Sequence, residues 1–263
     1  MQNSYYPFVD IRMIQTFQKY ERAVQWKLDP LFRGLAPFNF FVEVSETLDF
    51  STLRYTLPAA AEFYAVDTTG DVQGKSVHLY YRVRLETGDD KVYYSSAVIH
   101  RSQKEKARQY FLAKEIMRRE YVRFKYTGQA GWLLKRKNYG ERDPADLDPI
   151  TGAPLHENTG SVGTGFIGGY YKPIPMTYGR ESVDSSMELS REGFGTSSQE
   201  IQKHRIVGFP MVEPYDVMVA DNNERYRYTK VSPVYMPGTD IVLVQMCDCA
   251  LLPPTDPVYS ISI

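Results

Sequence analysis

The residues Val24-Gln25-Trp26-Lys27-Leu28 alternate apolar and polar side chains, which is the period of a strand with one buried face. Similar short runs recur as far as His100, and turn signals such as Thr69-Gly70-Asp71 separate them. The predicted strands cover residues 11–17, 24–28, 40–44, 52–57, 63–66, 77–85 and 92–98. Because these strands follow at regular spacing, the pattern predicts an antiparallel β-sandwich over residues 1–100. A helix over residues 11–28 is the less favoured alternative, since apolar residues there also lie near a helical stripe.

The same region resembles a fibronectin type III domain over residues 8–100. The resemblance rests on Trp26, on Phe41-Val42-Glu43-Val44, on Tyr80-Tyr81-Arg82-Val83-Arg84 and on Tyr94-Ser95-Ser96. It implies that Trp26 fills the space between two sheets while alternating Tyr and Val side chains line the facing strand. A fold of this kind does not by itself assign a function.

A basic amphipathic helix is predicted over residues 101–130. Ser102 followed by Glu105 forms a capping box, and Gly128 is well placed as the stop. Apolar and aromatic residues recur between them at helical spacing: Tyr110, Phe111, Met117, Tyr121 and Phe124. We expect this stripe to enter a core, and an exposed docking stripe is the alternative.

Charge is distributed unevenly along a chain whose net charge is −1. Residues 101–137 hold twelve Lys and Arg against three Glu, which leaves 19 basic against 29 acidic residues elsewhere. A basic segment of this kind is a surface for DNA or an acidic partner, or else a solvated helix face whose charges meet acidic neighbours. The sequence leaves both interpretations open.

Residues 131–200 are interpreted as an extended glycine-rich loop region, because turn residues dominate and little periodicity is visible. Residues 201–263 are predicted to form a C-terminal β domain. Within it, the runs 216–219 and 225–231 flank an Asp221-Asn222-Asn223-Glu224 turn, which predicts a hairpin. Residues 241–251 are predicted to form a long apolar strand and residues 256–259 an extended segment.

Enzymatic motifs are incomplete, so the sequence predicts no enzyme, no catalytic residues and no cofactor. Gly160-Ser161-Val162-Gly163-Thr164-Gly165 lacks the flanking strand and helix and the Lys-Ser/Thr pair of a phosphate-binding loop, and is interpreted as a flexible loop. Thr159 stands where a nucleophile elbow needs glycine, and His156-Glu157 lacks the second histidine of a zinc protease. The four histidines are scattered, at His78, His100, His156 and His204.

The two cysteines and the hydropathy of the chain indicate a cell compartment. Cys247 and Cys249 would share one face of a strand, are too close for an unstrained disulfide, and make a weak metal pair without a second Cys pair. The chain therefore indicates a reducing compartment. No apolar run reaches the length of a membrane span, and the first residues lack a signal-peptide layout, so we expect a soluble protein made in the cytoplasm.

Three blocks in the middle of the chain resemble the neck or collar proteins that lie between portal and tail in tailed bacteriophages. They are Gly131-Trp132-Leu133-Leu134-Lys135-Arg136, Asp148-Pro149-Ile150-Thr151-Gly152 and Gly163-Thr164-Gly165-Phe166-Ile167-Gly168-Gly169-Tyr170-Tyr171. Members of that family often carry two Cys-x-x-Cys pairs around this turn; the corresponding positions here are Asp143, Asp146, Asn158 and Ser161. Without thiolates we expect no zinc, and a loop held by packing. Residues 214–219 and 225–228 are similar to the small β-barrel of phage head-completion proteins.

The resemblance implies a structural virion protein that is assembled in the host cytoplasm and forms a neck ring of 6 or 12 copies. Its expected partners are further copies of itself, portal or adaptor, tail-terminator or other neck proteins, and DNA passing through the channel, with no membrane partner. The alternatives are another tail or baseplate component, or a fibronectin-type cell-surface binding module. The absence of a secretion signal in the sequence counts against the last.

Overall fold

The computed structural model describes residues 7–16, 21–32, 34–59, 61–69, 79–100, 107–148, 151, 160–181, 189–191, 196–198 and 201–263. Within these residues the chain is mainly β, with sixteen strands and one α-helix. It divides into two compact units. The N-terminal unit consists of Met1–Glu115 with Asn138–Arg142, and the barrel unit of Ile116–Lys137 with Asp143–Ile263.

Two antiparallel sheets build the N-terminal unit. One has the strand order β1 (Phe8–Gln15), β2 (Arg22–Leu28) and β5 (Tyr64–Asp67). The other has the order β4 (Leu53–Pro58), β3 (Asn39–Ser45), β6 (Leu79–Glu86) and β7 (Val92–Tyr94), with β8 (Val98–His100) also paired to β6. The strand prediction for residues 11–28 is therefore confirmed over the described residues, and the helical alternative is wrong; Phe17 lies outside the described residues.

The strand predicted over residues 92–98 is divided in two. Ser95 lies between β7 and β8, where its N–H donates to the Val83 carbonyl and its Oγ accepts the Val83 N–H, both at 2.8 Å. One serine thus occupies both backbone groups of Val83, which interrupts the ladder. The two short strands pair with successive parts of β6.

Trp26 joins the two sheets of the N-terminal unit. Its side chain is 3% exposed, its ring lies 5.4 Å from that of Phe40, and its Nε1 donates to the Glu62 carbonyl at 3.0 Å. Tyr139 packs on the other side of this cluster, with its ring 5.7 Å from Phe40 and its hydroxyl donating to the same carbonyl at 2.6 Å. The boundary predicted at residue 100 is therefore wrong for this segment, because Asn138–Arg142 completes the unit's core.

A buried polar network also links the sheets. Asp67, on β5, is buried and accepts hydrogen bonds at 2.8 Å from the hydroxyls of Tyr55 and Tyr81, on β4 and β6. Arg22 on β2 donates to the Tyr81 hydroxyl at 2.9 Å. Each polar group therefore has a partner, which removes most of the cost of burying it.

The helix α1 spans Ala107–Thr127; the capping box at Ser102 and Glu105 lies outside the described residues. Its predicted stop is confirmed, because the Gly128 N–H donates to the Phe124 carbonyl at 2.8 Å and a Cβ at Gly128 would approach that oxygen to 2.4 Å. Of the predicted stripe, Met117 and Phe124 are buried while Phe111 and Tyr121 are exposed. The stripe is thus only partly core. No described helix is both long and apolar enough to cross a membrane.

Six strands close into a barrel, and a separate hairpin of β11 (Leu189–Arg191) and β12 (Thr196–Ser198) accompanies it. In barrel order they are β10 (Ile174–Glu181), β13 (Ile201–Val207), β16 (Val242–Leu251), β15 (Arg225–Tyr235), β14 (Val217–Ala220) and β9 (Gln129–Leu134). The predicted barrel and the predicted β14–β15 hairpin are confirmed.

Two interpretations of the second half are wrong. Residues 131–200 are not one extended loop region. β9 crosses the start of this region, β10 lies inside it, and both are strands of the closed barrel. Both strands contain residues that are uncommon in strands, so the sequence did not predict them. β9 contains Gly131, where a Cβ would approach the Val219 carbonyl to 2.6 Å, and β10 contains Pro175 and Gly179. Residues 256–259 are not extended either, because Asp256 caps a short 3-10 helix over Pro257–Ser260.

Candidate functional site

The glycine segment, residues 160–171, carries the sequence block that points to a function, and a single carboxylate holds it to an earlier turn. Asp143 caps a short 3-10 helix over Pro144–Asp146, accepting the Ala145 N–H at 3.0 Å. This turn directs Asp146 inward, where its side chain is fully buried. Asp146 Oδ2 accepts a hydrogen bond from the Ser161 hydroxyl and a second, at 3.2 Å, from the Gly165 N–H. Charge-assisted bonds of this kind are stronger than neutral ones.

The four positions that the sequence resemblance sets against Cys-x-x-Cys pairs are partly brought together. Asp146 and Ser161 are in direct contact, the Asp143 N–H donates to the Gly165 carbonyl at 3.1 Å, and Asn158 lies outside the described residues. Among the described residues no group of three His, Cys, Asp or Glu side chains could hold a metal ion. A carboxylate with two donors ties the loop at these positions, so hydrogen bonding adds to the packing that the sequence predicted.

Further backbone contacts fix the course of the glycine segment. Thr164 Oγ1 donates to the Ser161 carbonyl at 2.8 Å, and the Gly168 N–H donates to the Gly160 carbonyl at 3.0 Å. Gly169 has a φ of +62°, and a Cβ there would approach the Ser161 carbonyl to 2.6 Å. Only glycine fits such a left-handed, crowded position. These contacts define one backbone path for residues 160–165, which the sequence was interpreted as leaving flexible.

Side chains of the segment enter the hydrophobic core of the barrel unit. Val162 and Tyr170 are buried in one cluster with residues of two barrel strands and the C-terminal region: Leu134, Val217, Val219, Leu252 and Val258. Burial raises the pKa of Tyr170 to about 12, so its phenol is neutral at physiological pH. Ile167 is instead 47% exposed. The segment therefore presents one large apolar side chain on a fixed backbone.

A buried ion pair lies next to the end of the glycine segment. Lys135 follows β9, is 5% exposed, and its Nζ lies 3.0 Å from Asp216 Oδ2. Asp216 also accepts the N–H groups of Arg136, at 2.9 Å, and Glu213, at 2.7 Å. Burial raises the pKa of Asp216, while the Lys135 ammonium opposes that shift. The Lys135 carbonyl in turn accepts the Tyr171 N–H at 2.9 Å, so the pair anchors the segment's end.

The barrel interior holds the histidine and cysteines that the sequence singled out. His204 on β13 is opposite Cys247 on β16, and Cys247 and Cys249 are both buried, as expected for one strand face. Three tyrosine rings surround His204, at centroid distances of 4.6 Å for Tyr178, 5.1 Å for Tyr226 and 5.9 Å for Tyr228. Sequence spacing gave no sign of this grouping, because 43 residues separate the paired positions His204 and Cys247.

Burial makes the His204 imidazole a poor base and the two cysteine thiols poor nucleophiles. It lowers the pKa of His204 to about 3, with a further lowering from the Arg180 charge, and raises that of Cys249 to about 12. Histidine is thus neutral and the thiols are protonated near neutral pH. Of the other histidines, His100 is on β8, and His78 and His156 lie outside the described residues. The structure does not bring these scattered histidines into a triad among the described residues.

Comparisons with protein-family models, with curated proteins and with solved structures found no match.

Proposed function

We propose that this chain is a structural protein of a tailed bacteriophage virion that forms a closed ring in the neck, between capsid portal and tail. The observation that carries the proposal is the glycine segment, which bears the sequence resemblance and presents Ile167 on a backbone held by Asp146. A preorganised loop loses little conformational entropy on binding a neighbour. An apolar tip between glycines is also well suited to enter a pocket on the next subunit.

A fibronectin type III-like sandwich is our proposal for the N-terminal unit. Its support is the division into a sheet of three strands (β1, β2, β5) and a sheet of four (β4, β3, β6 and β7 with β8), where β7 and β8 count as one interrupted strand beside β6. Trp26 on β2, packed against Phe40 on β3, agrees with the resemblance. Such a unit adds lateral surface to a ring and does not require catalysis.

The buried chemistry supports a non-enzymatic role. The groups whose pKa values shift most, such as His204 and the two cysteines, are enclosed in the barrel core. Nucleophiles and general bases need access to a substrate and a pKa near the working pH, and these groups have neither. Their arrangement fits a core that stabilises the barrel.

The proposal is tested by measuring the mass of the purified full chain in solution, alongside two matched variants. Ile167→Asp places a charge at the proposed contact, and Ile263→Asp does so at an equally exposed isoleucine, 48% against 47%. We expect assemblies of 6 or 12 subunits for the native chain and the control, and monomers for Ile167→Asp with unchanged circular dichroism. Equal assembly of all three would remove the glycine segment's role. A native monomer would instead favour a fibronectin-type binding module.

A further inference from the structure

The turn before β14 presents an aromatic ring at the surface. Tyr215 has a φ of +73°, a backbone conformation that is rare for a bulky residue. Hydrogen bonds hold it there: its N–H donates to the Tyr228 carbonyl at 2.8 Å, and the N–H of Asp216 donates to the Glu213 carbonyl at 3.2 Å. The ring is nevertheless 58% exposed, so it adds little to the core. An unfavourable backbone conformation that displays a side chain points to a role at the surface.

One arginine packs on this ring. The guanidinium carbon of Arg136 lies 5.3 Å from the centre of the Tyr215 ring, and this contact restricts the arginine side chain. Arg136 is half-buried, and within the described residues its guanidinium has no hydrogen bond or ion pair. Three arginines of the barrel strands differ in having a carboxylate partner: Arg180 pairs with Glu224, Arg205 with Glu120 and Arg227 with Asp256. Arg136 is thus a positioned cation whose donors are free.

The pair of Arg136 and Tyr215, the arginine site, lies along the stretch of chain that holds the glycine segment. Arg136 forms a β-bridge with Tyr170 of that segment. The next residue, Lys137, donates from its Nζ to the Ile167 carbonyl at 2.9 Å. One short stretch therefore connects the arginine site to the proposed contact at Ile167.

We propose that the arginine site binds a carboxylate side chain of a second copy of this chain. A guanidinium offers paired donors whose geometry matches a carboxylate. The chain supplies such groups, since outside residues 101–137 it holds 29 acidic against 19 basic residues. Tyrosine and arginine are the side chains that most often carry the binding energy of protein interfaces, which favours a protein partner over nucleic acid. The inference rests on the proposed ring, to which it adds a second contact of defined chemistry.

Association of the full chain tests the arginine site. Arg136→Gln removes the charge and the paired donors, and the control Lys230→Gln removes an exposed cation of β15. Sedimentation over a range of concentrations compares both with the native chain. Loss of a desolvated charge contact should weaken the association of Arg136→Gln roughly 30-fold or more. The control should change it less than about fivefold. Urea unfolding of the dissociated chains should be the same, because the arginine site is not part of the core.

A chemical cross-link identifies the partner group. Arg136→Lys introduces a primary amine, which a water-soluble carbodiimide joins as an amide to a carboxylate in contact with it, while the carbodiimide takes up the water. Unlabelled and isotope-labelled chains of this variant are mixed in equal amounts, so that an amide between two copies carries both labels. We expect mixed-label peptides in which position 136 is joined to an aspartate or glutamate. Cross-links at this position within single chains only, or none, would overturn the inference.

The outcomes separate this inference from the ring itself. If Arg136→Gln associates as strongly as the native chain while Ile167→Asp does not, the inference fails and the ring stands. A native chain that stays a monomer overturns both. If Arg136→Gln assembles like the native chain but loses binding to a fluorescent DNA duplex, the arginine site takes phosphate and the inference fails.

Discussion

The two units bury carboxylates of similar number but use them differently. In the N-terminal unit, Asp67 and Glu43 lie on strands and accept bonds from side chains of neighbouring strands, such as Tyr81 and Arg82, and Asp67 accepts one loop N–H in addition, that of Thr69. In the barrel unit, Asp146 and Asp216 hold backbone N–H groups of turns and loops. Loops lack the backbone hydrogen bonds that order the strands of a sheet. A single buried carboxylate can therefore fix the backbone path of a loop. We therefore expect single substitutions of buried polar residues to disorder more of the surrounding backbone in the barrel unit than in the N-terminal unit.

The largest effect is expected from Asp216→Ala. It removes the nearer and buried carboxylate of the Lys135 ammonium, which keeps only the more exposed Glu213 at 3.4 Å, and it leaves two N–H groups without an acceptor. Breaking a buried pair on one side costs about 3–5 kcal/mol. Urea unfolding measures the loss, with Asp240→Ala, an exposed acid, as the control. A change below 1 kcal/mol, on the order of a surface substitution, would show that the pair is not structural.

Tyr139→Ala tests whether a segment distant in sequence belongs to the N-terminal core. The substitution removes a ring packed on Phe40 and Phe38, and about 3 kcal/mol of unfolding free energy should be lost. Trp26→Ala should lower the same transition by about 3–5 kcal/mol. Tyr215→Ala removes an exposed tyrosine and serves as the control. If Tyr139→Ala matched the control, the unit would end near residue 100 as the sequence predicted.

Lowering the pH should reduce the free energy of unfolding of the barrel unit, because His204 is buried there. Its folded pKa of about 3 lies below the ordinary 6.5, so unfolding takes up a proton as the pH falls between these values. Stability from this group is complete above pH 6.5 and is lost toward pH 3. From pH 6.5 to 4.5 the loss is about 2–3 kcal/mol. His204→Phe should remove this part of the pH dependence; identical pH profiles of both proteins would contradict it.

Ser161→Ala should have the smallest effect of the substitutions that test how the two units use buried carboxylates. It removes one donor to Asp146 and should cost about 1–2 kcal/mol. Hydrogen exchange over residues 160–171 should quicken, whereas Ser232→Ala, at an exposed serine, should leave it unchanged. Fast exchange in the native chain already would mean that the segment is a flexible loop.

Sequence reasoning succeeded where the information is local. Alternation located β2 and β6, the Asp221–Glu224 turn located the β14–β15 hairpin, and Gly128 located the helix end. It failed where the pairing is distant. β9 pairs with β10 and β14, more than 40 residues away, and neither Pro175 nor the glycines of these strands indicates a barrel.

The site shows the same limit. The glycine block could be singled out by composition, but composition also suggested flexibility. Its order comes from Asp146, fifteen residues before Ser161, and from the backbone of the Lys135–Lys137 stretch. A buried aspartate and an exposed one look alike in a sequence. Tyr139 was missed for the same reason, since its partners lie about a hundred residues earlier.

Electron microscopy of the purified native chain tests the central claim most directly. A head-to-tail interface that closes gives particles with cyclic symmetry and a central opening. We expect class averages with six- or twelve-fold symmetry, which Ile167→Asp abolishes. Compact particles of single-chain size at every concentration, with no rings, would contradict the account.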